Sequence, residues 1–197
     1  MKKVADQLVD QLVRAGIKRI YAITGDSLNE LNDAVRRRPD LQWIHVRNEE
    51  AGAFAASADA QLSGIACCAG SSGPGHVHLI NGLYDAQRSG APVVAIASTC
   101  ATREFGSGYF QETNVIKLFE DCSHFTQVAA TAEQCPRMAQ AVIQTAADRA
   151  SLAKASAAAE AITSPAADGR GSAQYRTKMA GVMTARALSR AFARAKS

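Results

Sequence analysis

The chain has 197 residues and a mass of 20.7 kDa, with 47% hydrophobic, 20% charged and only 6% aromatic residues, which fits one ordinary globular domain with an additional segment. No window approaches the roughly 18 apolar residues of a membrane span, and the start of the chain has no apolar signal core, so we expect a cytoplasmic protein rather than a secreted or membrane-spanning one. The five cysteines match no disulfide framework and no metal-ligand spacing, which predicts reduced thiols and no metal site.

The formal net charge of +4 is unevenly distributed along the chain. Residues 1–149 contain 14 Lys and Arg against 16 Asp and Glu, whereas residues 150–197 contain 8 against 2. All the excess positive charge therefore belongs to the last 48 residues. Because the larger part is net acidic, we expect no nucleic-acid partner, and we consider membrane contact improbable.

Helix and strand patterns alternate over residues 1–149. Apolar residues at helical spacing predict a first helix that ends at Gly16, and Ser27 followed by Glu30 predicts a capping box at the start of the second. Short apolar runs predict strands over residues 19–23, 42–46, 65–69, 92–97 and 125–129. Further helices are predicted over residues 50–62, 76–87, 114–121 and 132–148. This alternation predicts a three-layer α/β sandwich with a mainly parallel sheet.

The pattern changes after Arg149. One third of residues 150–197 are Ala and no strand pattern appears. We therefore interpret 1–149 as the domain and 150–197 as an irregular or helical basic tail outside the fold. An alternative is a basic helix, with Arg186, Arg190 and Arg194 at intervals of four, that binds acidic partners or membrane surfaces.

Four loops follow the predicted strands, over residues 24–27, 47–50, 71–75 and 106–112. Ligands of open parallel sheets bind beyond the carboxyl ends of the strands. A carboxylate such as Glu49, at a strand end where a helix begins, suits proton transfer or the binding of a cofactor nitrogen, although helix capping explains it equally. The turn at residues 73–75 matches no phosphate-binding motif. The residues alone therefore indicate only a small-molecule site.

The same loops carry a family resemblance. The strings ITGDSLN (residues 23–29), RNEEAGAFAA (47–56), AGSSGPGHVHLINGLYDA (69–86) and GSGYFQET (106–113) closely resemble the amino-terminal, pyrimidine-binding domain of thiamine diphosphate enzymes. Within that superfamily they look most like pyruvate oxidase and the quinone-dependent pyruvate dehydrogenase. The resemblance covers about residues 1–149 and implies the fold derived above.

The resemblance implies that Glu49 hydrogen-bonds the pyrimidine ring of thiamine diphosphate. In the family this contact favours the imino tautomer, which removes the thiazolium proton before a 2-oxoacid such as pyruvate is decarboxylated. Asn48 departs from the family pattern, which has His there, and we expect it to keep a polar contact without titrating near neutral pH.

Other site residues follow from the same matching. It implies that Gly25, Pro74 and Gly75 line the pyrimidine pocket with backbone. His78, Phe110 and Gln111 would face the reacting end of the cofactor. Two alternatives remain open at this point: His78 could be a hydrogen-bonded packing residue, and Phe110 could belong to the core.

Parts of the family pattern are absent from the sequence. We find no Gly-Asp-Gly motif of the domain that binds the diphosphate through Mg²⁺, no flavin (FAD) domain and no final Val-rich strand. We therefore expect a truncated or frame-broken homologue that is inactive alone. Since the family builds its site between chains, the expected partner is a second copy or a full-length homologue that docks on the pyrimidine-domain face. The alternative is a non-catalytic binding or regulatory module that pairs with such homologues.

Overall fold

The structure is a computed structural model that describes residues 2–165 and 171–195. The chain divides into two compact units, Met1–Ala147 and Asp148–Ser197. Each unit is described by itself below.

The first unit contains a parallel sheet. Its strands are β1 (Arg19–Ala22), β2 (Gln42–His45), β3 (Ala66–Gly70) and β4 (Val93–Ala97). They pair in the order β2-β1-β3-β4, and every pair is parallel. In the register, Ile20 lies between Trp43 and Cys67. The predicted α/β class with a parallel sheet is therefore confirmed.

Seven α-helices accompany the strands within the described residues. They are α1 (Val4–Arg14), α2 (Asn29–Arg36), α3 (Glu49–Ser63), α4 (Pro74–Ser89), α5 (Val115–Phe119), α6 (Cys135–Ile162) and α7 (Ala173–Ala195). In the first unit, α1, α2 and the first part of α6 cover one face of the sheet, while α3, α4 and α5 cover the other. This arrangement confirms the three-layer sandwich.

Strand β3 forms the centre of the unit, and all five of its residues are buried. Because strand side chains alternate between faces, Cys67 and Ala69 pack into one helix layer and Ala66 and Cys68 into the other. Burial raises the pKa of the Cys68 thiol to about 12 and that of Cys67 well above its usual range. Both cysteines therefore stay protonated and pack as small apolar side chains.

Helices α3 and α4 approach each other closely. A Cβ atom built on Gly82 would lie 2.5 Å from the Ala53 Cβ and 2.7 Å from the Phe54 backbone nitrogen, so only glycine fits at this crossing. Helix α3 is also well capped, because the Asn48 side chain accepts a hydrogen bond of 2.8 Å from the Glu50 amide and Gly64 ends it with φ +93°. Asn48 thus keeps the polar contact expected for it.

The predicted capping box at Ser27 is wrong. Residues Asp26–Leu28 form a 3₁₀ turn and α2 begins at Asn29, without a side-chain cap. The Ser27 hydroxyl instead accepts a hydrogen bond of 3.0 Å from the Ser72 amide. The Ser27 side chain, which the local pattern predicts as a helix cap, is therefore hydrogen-bonded to the loop after β3 instead.

Two other expectations are corrected after α5. Residues 125–129 form irregular backbone instead of the predicted strand, since a short apolar run becomes a strand only where a neighbouring strand pairs with it. The helix expected over 132–148 runs from Cys135 to Ile162. Alanine is the best helix former, so the change to an Ala-rich composition at Arg149 does not interrupt it.

The second unit is helical in its described part. It holds the end of α6 and all of α7, and the two helices meet at the buried Gly181. A Cβ atom there would lie 2.7 Å from the Ser156 hydroxyl and would overlap the side chain of Glu160. In the part of the chain that the structure describes, no helix is both long and apolar enough to cross a membrane.

Candidate functional site

The candidate site lies beyond the carboxyl ends of the strands, where four chain segments meet. They are the loop after β1 with Gly25, the start of α3 with Glu49, the loop between β3 and α4, and the loop that carries Gln111. Parallel strands place these segments at one edge of the sheet.

Glu49 is the first residue of α3 and is only 7% exposed. Its Oε2 lies 3.1 Å from the Nδ1 atom of His78. Its Oε1 points towards Gly75, where a Cβ atom would lie 3.3 Å away, and accepts no hydrogen bond from another described residue. The amino terminus of the helix favours a negative charge here. Glu49 is therefore held through one carboxylate oxygen and leaves the other open.

His78 is less buried than Glu49. Its side chain is 49% exposed, compared with 9% for the side chain of Glu49. Because a carboxylate only accepts hydrogen bonds, the contact assigns the proton to Nδ1 of His78. The structure thus places His78 as a direct partner of Glu49 at the open side of the site.

Ser71 occupies the space between two glycines of the site. A Cβ atom on Gly25 would lie 2.5 Å from the Ser71 Cβ and 2.8 Å from its Oγ, and one on Gly75 would overlap that Oγ. The two glycines therefore make room for Ser71 itself, which is a more specific reason than the pocket lining that the sequence suggested. Sequence reasoning did not single out Ser71, although it lies inside the string AGSSGPG.

Gln111 connects the distant loop to the β3–α4 loop. It has φ +62°, the one positive value among the described non-glycine residues. Its Oε1 accepts a hydrogen bond of 3.1 Å from the Ser72 hydroxyl. A Cβ atom on Gly73 would lie 2.7 Å from the Gln111 Cβ, so the two backbones are in close contact. Pro74 follows Gly73 as the first residue of α4.

Phe110 precedes Gln111 and is 77% exposed. It is therefore not a core residue, and that alternative is wrong. Within the described residues, its side chain makes no hydrogen bond or ring contact with Glu49 or His78. The structure thus brings Gly25, Glu49, Gly75, His78 and Gln111 together and leaves Phe110 beside them on the surface.

His76 is a second residue that sequence reasoning missed. It is fully buried, with Nδ1 2.8 Å from the Ser98 carbonyl oxygen and Nε2 2.5 Å from the Thr113 hydroxyl. Burial lowers the pKa of His76 below its ordinary 6.5. The imidazole is therefore neutral, donates from Nδ1 to Ser98 and accepts at Nε2 from Thr113. It joins α4 to the end of β4 and to the segment after Gln111.

Glu112 closes the loop that carries Gln111. Its carboxylate accepts hydrogen bonds from the amides of Gly106 at 2.6 Å, Gly108 at 2.9 Å and Tyr109 at 3.2 Å. These bonds, that from Gly106 first, lower the pKa of the Glu112 carboxyl below its usual value.

The donor set of the site suits a nitrogen heterocycle. An open carboxylate oxygen can share a proton with a ring nitrogen, and the glycine backbones at 25 and 75 permit close approach. Among residues 2–165 and 171–195, no group of three or more His, Cys, Asp or Glu side chains is arranged to hold a metal ion.

Comparison with known proteins gives one match that lies within the first unit. Residues 2–118 match the family model described as "Thiamine pyrophosphate enzyme, N-terminal TPP binding domain". A second model, "CO dehydrogenase flavoprotein C-terminal domain", matches residues 86–191. That range begins inside α4 and crosses the division between the two units, so it corresponds to no compact part of this structure.

Three relatives are similar to the chain, and the names of two of them agree with the first match. A 42.6 kDa protein of Pseudomonas amyloderamosa is 52% identical over 145 residues, 73% of this chain and 37% of the relative. A Bacillus subtilis protein whose name describes it as thiamine pyrophosphate-containing is 43% identical over 147 residues, 73% of this chain and 26% of the relative. The pyruvate oxidase of Lactiplantibacillus plantarum is 39% identical over 131 residues, 66% of this chain and 22% of the relative. The chain thus spans between 22% and 37% of their lengths.

Proposed function

Because the chain belongs to the thiamine pyrophosphate enzyme family through its N-terminal TPP binding domain, we propose that it supplies the pyrimidine half of a pyruvate oxidase-like site. The reaction would decarboxylate a 2-oxoacid, and pyruvate is the candidate because the Lactiplantibacillus plantarum relative is named pyruvate oxidase. The observation that carries this proposal is Glu49, a buried carboxylate held on one oxygen by His78 with the other oxygen open.

Thiamine diphosphate, when bound, supplies a thiazolium carbon that can be deprotonated and can add to the carbonyl of a 2-oxoacid. Glu49 would hold a proton between its Oε1 atom and the ring nitrogen of the pyrimidine. His78 fixes the carboxylate through Oε2, so that Oε1 keeps its direction. The backbones of Gly25, Pro74 and Gly75 would lie along the ring.

On the substrate side we assign His78, Phe110 and Gln111. The Oε1 atom of Gln111 is engaged by Ser72, which leaves the Nε2 group to donate to a substrate carboxylate. Phe110 is exposed and offers an aromatic face at the opening of the site. His78 is half exposed beside Glu49.

The remaining half of the site would come from another segment of polypeptide that binds the diphosphate, Mg²⁺ and, in an oxidase, FAD. We propose that this partner, a second copy or a homologue, docks on the outer face of α3 and α4. A groove of about 460 Å³ is open there, lined by Phe54, Asn81, Tyr84, Asp85 and Arg88. The same groove supports the alternative, a non-catalytic module that pairs with homologues. A cytoplasmic location is consistent with the five free thiols.

Titration of the ¹⁵N-labelled chain with thiamine diphosphate tests the assignment of Glu49. We expect weak binding, with amide shifts at Gly25, Glu49 and Gly75. Glu49→Gln should weaken it about tenfold, because a charged acceptor is lost. Glu50→Gln is the matched control, since Glu50 is the neighbouring acidic residue and its carboxylate accepts a hydrogen bond from the exposed Asn81.

Two results would contradict the proposal. One is a set of shifted amides that lies away from these loops. The other is equal binding by the Glu49 and Glu50 variants. An analogue that lacks the pyrimidine nitrogen facing Glu49 should bind the wild-type chain and the Glu49 variant equally weakly.

A further inference from the structure

The loop that carries Phe110 and Gln111 has little apolar packing to hold it. Phe110 is 77% exposed, and Tyr109 is about half exposed. An aromatic side chain that remains in water gains little of the roughly 25 cal/mol per Å² that burial provides. The conformation of this loop therefore depends on hydrogen bonds.

Glu112 supplies three of those hydrogen bonds. Its Oε1 accepts from the Gly106 amide, and its Oε2 accepts from the amides of Gly108 and Tyr109. The Glu112 amide in turn donates to the Tyr109 carbonyl at 2.9 Å. A carboxylate that accepts from backbone amides makes bonds about twice as strong as neutral ones.

The residues on both sides of Glu112 are held by α4 and the loop before it. Gln111 bonds Ser72, and Thr113 bonds the buried His76. Glu112 thus lies between two residues docked on the candidate site, and its own side chain turns back to the loop. It connects residues 111–113, which are bonded to the candidate site, to residues 106–109, whose amides its carboxylate binds.

We propose that Glu112 is a positioning residue, whose carboxylate binds the amides of Gly106, Gly108 and Tyr109 and thereby fixes the position of Phe110 at the opening of the site. This role rests on the proposed function for its purpose, because Phe110 and Gln111 are substrate-side residues only within that proposal. The clamp itself is independent of any cofactor. Displacement of a pocket residue by 1 Å can cost on the order of a hundredfold in rate.

The test is amide hydrogen exchange and an acid titration of the complete ¹⁵N-labelled chain. Glu112→Gln keeps the shape of the side chain and removes its charge. We expect exchange at Gly106, Gly108 and Tyr109 to become about tenfold faster, with exchange at His76 unchanged. Glu104→Gln is the matched control, because Glu104 lies in the same loop and its carboxylate bonds Arg103 instead.

The titration gives a signature that a general loss of stability would not produce. In the wild-type chain the three amide resonances should shift together as Glu112 is protonated, with a common midpoint below 4.5. The common shift should be absent in the Glu112→Gln variant and present in the Glu104→Gln variant.

Faster exchange throughout the first unit, His76 included, would overturn the proposal, because Glu112 would then act on overall stability. A common titration that persists in the Glu112→Gln variant would overturn it as well. Neither measurement contains thiamine diphosphate, so the clamp can fail while the cofactor assignment stands, and the reverse also holds.

Discussion

Replacement of Gly82 by Ala tests the close approach of α3 and α4. The new methyl group would lie 2.5 Å from the Ala53 Cβ and 2.7 Å from a backbone nitrogen of α3, whereas carbon atoms prefer 3.5–4.0 Å. Because a backbone atom cannot rotate away, the two helices must separate by about 1 Å.

The expected cost follows from two opposing effects. Overpacking of a well-packed contact costs about 1–3 kcal/mol, and the rigid backbone neighbour places Gly82→Ala near the upper end. Alanine recovers about 0.5–1 kcal/mol over glycine within a helix. We therefore expect the free energy of unfolding to fall by about 2 kcal/mol. The Glu49–His78 contact should lengthen too, because α3 carries Glu49 and α4 carries His78.

Urea unfolding followed by the fluorescence of Trp43, the single tryptophan, measures this change in the first unit. Gly52→Ala is the matched control: its Cβ would lie 3.2 Å from its nearest neighbours, the Tyr21 carbonyl oxygen and a methyl group of Val46, so a small adjustment suffices. A Gly82→Ala chain as stable as wild type, or a larger loss in Gly52→Ala, would refute the packing argument.

Two further predictions concern pH and catalysis. The pKa of His76 is lowered in the folded chain, so just below pH 6.5 the unfolded chain binds more protons than the folded chain. The contribution of His76 to the free energy of unfolding should therefore be constant above that value, fall as the pH decreases from 6.5 towards the folded pKa, and level off below the folded pKa. The difference between the urea unfolding midpoints at pH 5.5 and pH 7.5 should be smaller for His76→Gln than for the wild-type chain. The exposed His45→Gln is the control and should show the wild-type difference. The same difference in the wild-type chain and both variants would contradict this. We also expect no turnover of pyruvate by the chain alone with thiamine diphosphate and Mg²⁺, because the chain would supply only the pyrimidine half of the site. We expect little restoration when it is mixed with a homologue whose own pyrimidine-domain glutamate is mutated, because residues 125–129 do not form the strand predicted to extend the sheet and a displacement of the site loops by about 1 Å can cost on the order of a hundredfold in rate. If the mixture regained activity and lost it again when this chain carried Glu49→Gln, the result would instead favour the alternative of a module that pairs with homologues.

The sequence predicts the first unit well because its strands and helices follow strong local patterns. The strands β1 to β4 are short apolar runs, and α1 has apolar residues at helical spacing and ends just before Gly16. The predicted strand at 125–129 has β-forming residues too, but strand formation depends on a pairing partner that composition does not reveal.

Side-chain partners across the fold are the part of the site that the sequence could not predict. Ser27 has the spacing of a helix cap, yet its hydroxyl bonds Ser72, 45 residues away. His76 has no distinguishing local pattern, and its role depends on Ser98 and Thr113 from other segments. Glu49 could be selected because its position after a strand and at a helix start is itself a local signal.

The wedging of Ser71 between Gly25 and Gly75 constrains how this sequence can drift. A Cβ atom at position 25 would lie 2.5 Å from the Cβ of Ser71, which no rotation of the serine can relieve, whereas at position 75 the nearest atom is the Ser71 hydroxyl oxygen, which can rotate away. The tolerance of positions 25 and 71 is therefore epistatic: loss of the Ser71 side chain would have to precede an alanine at 25, and that alanine would then block the return of serine. Mutational paths through this loop therefore depend on their order.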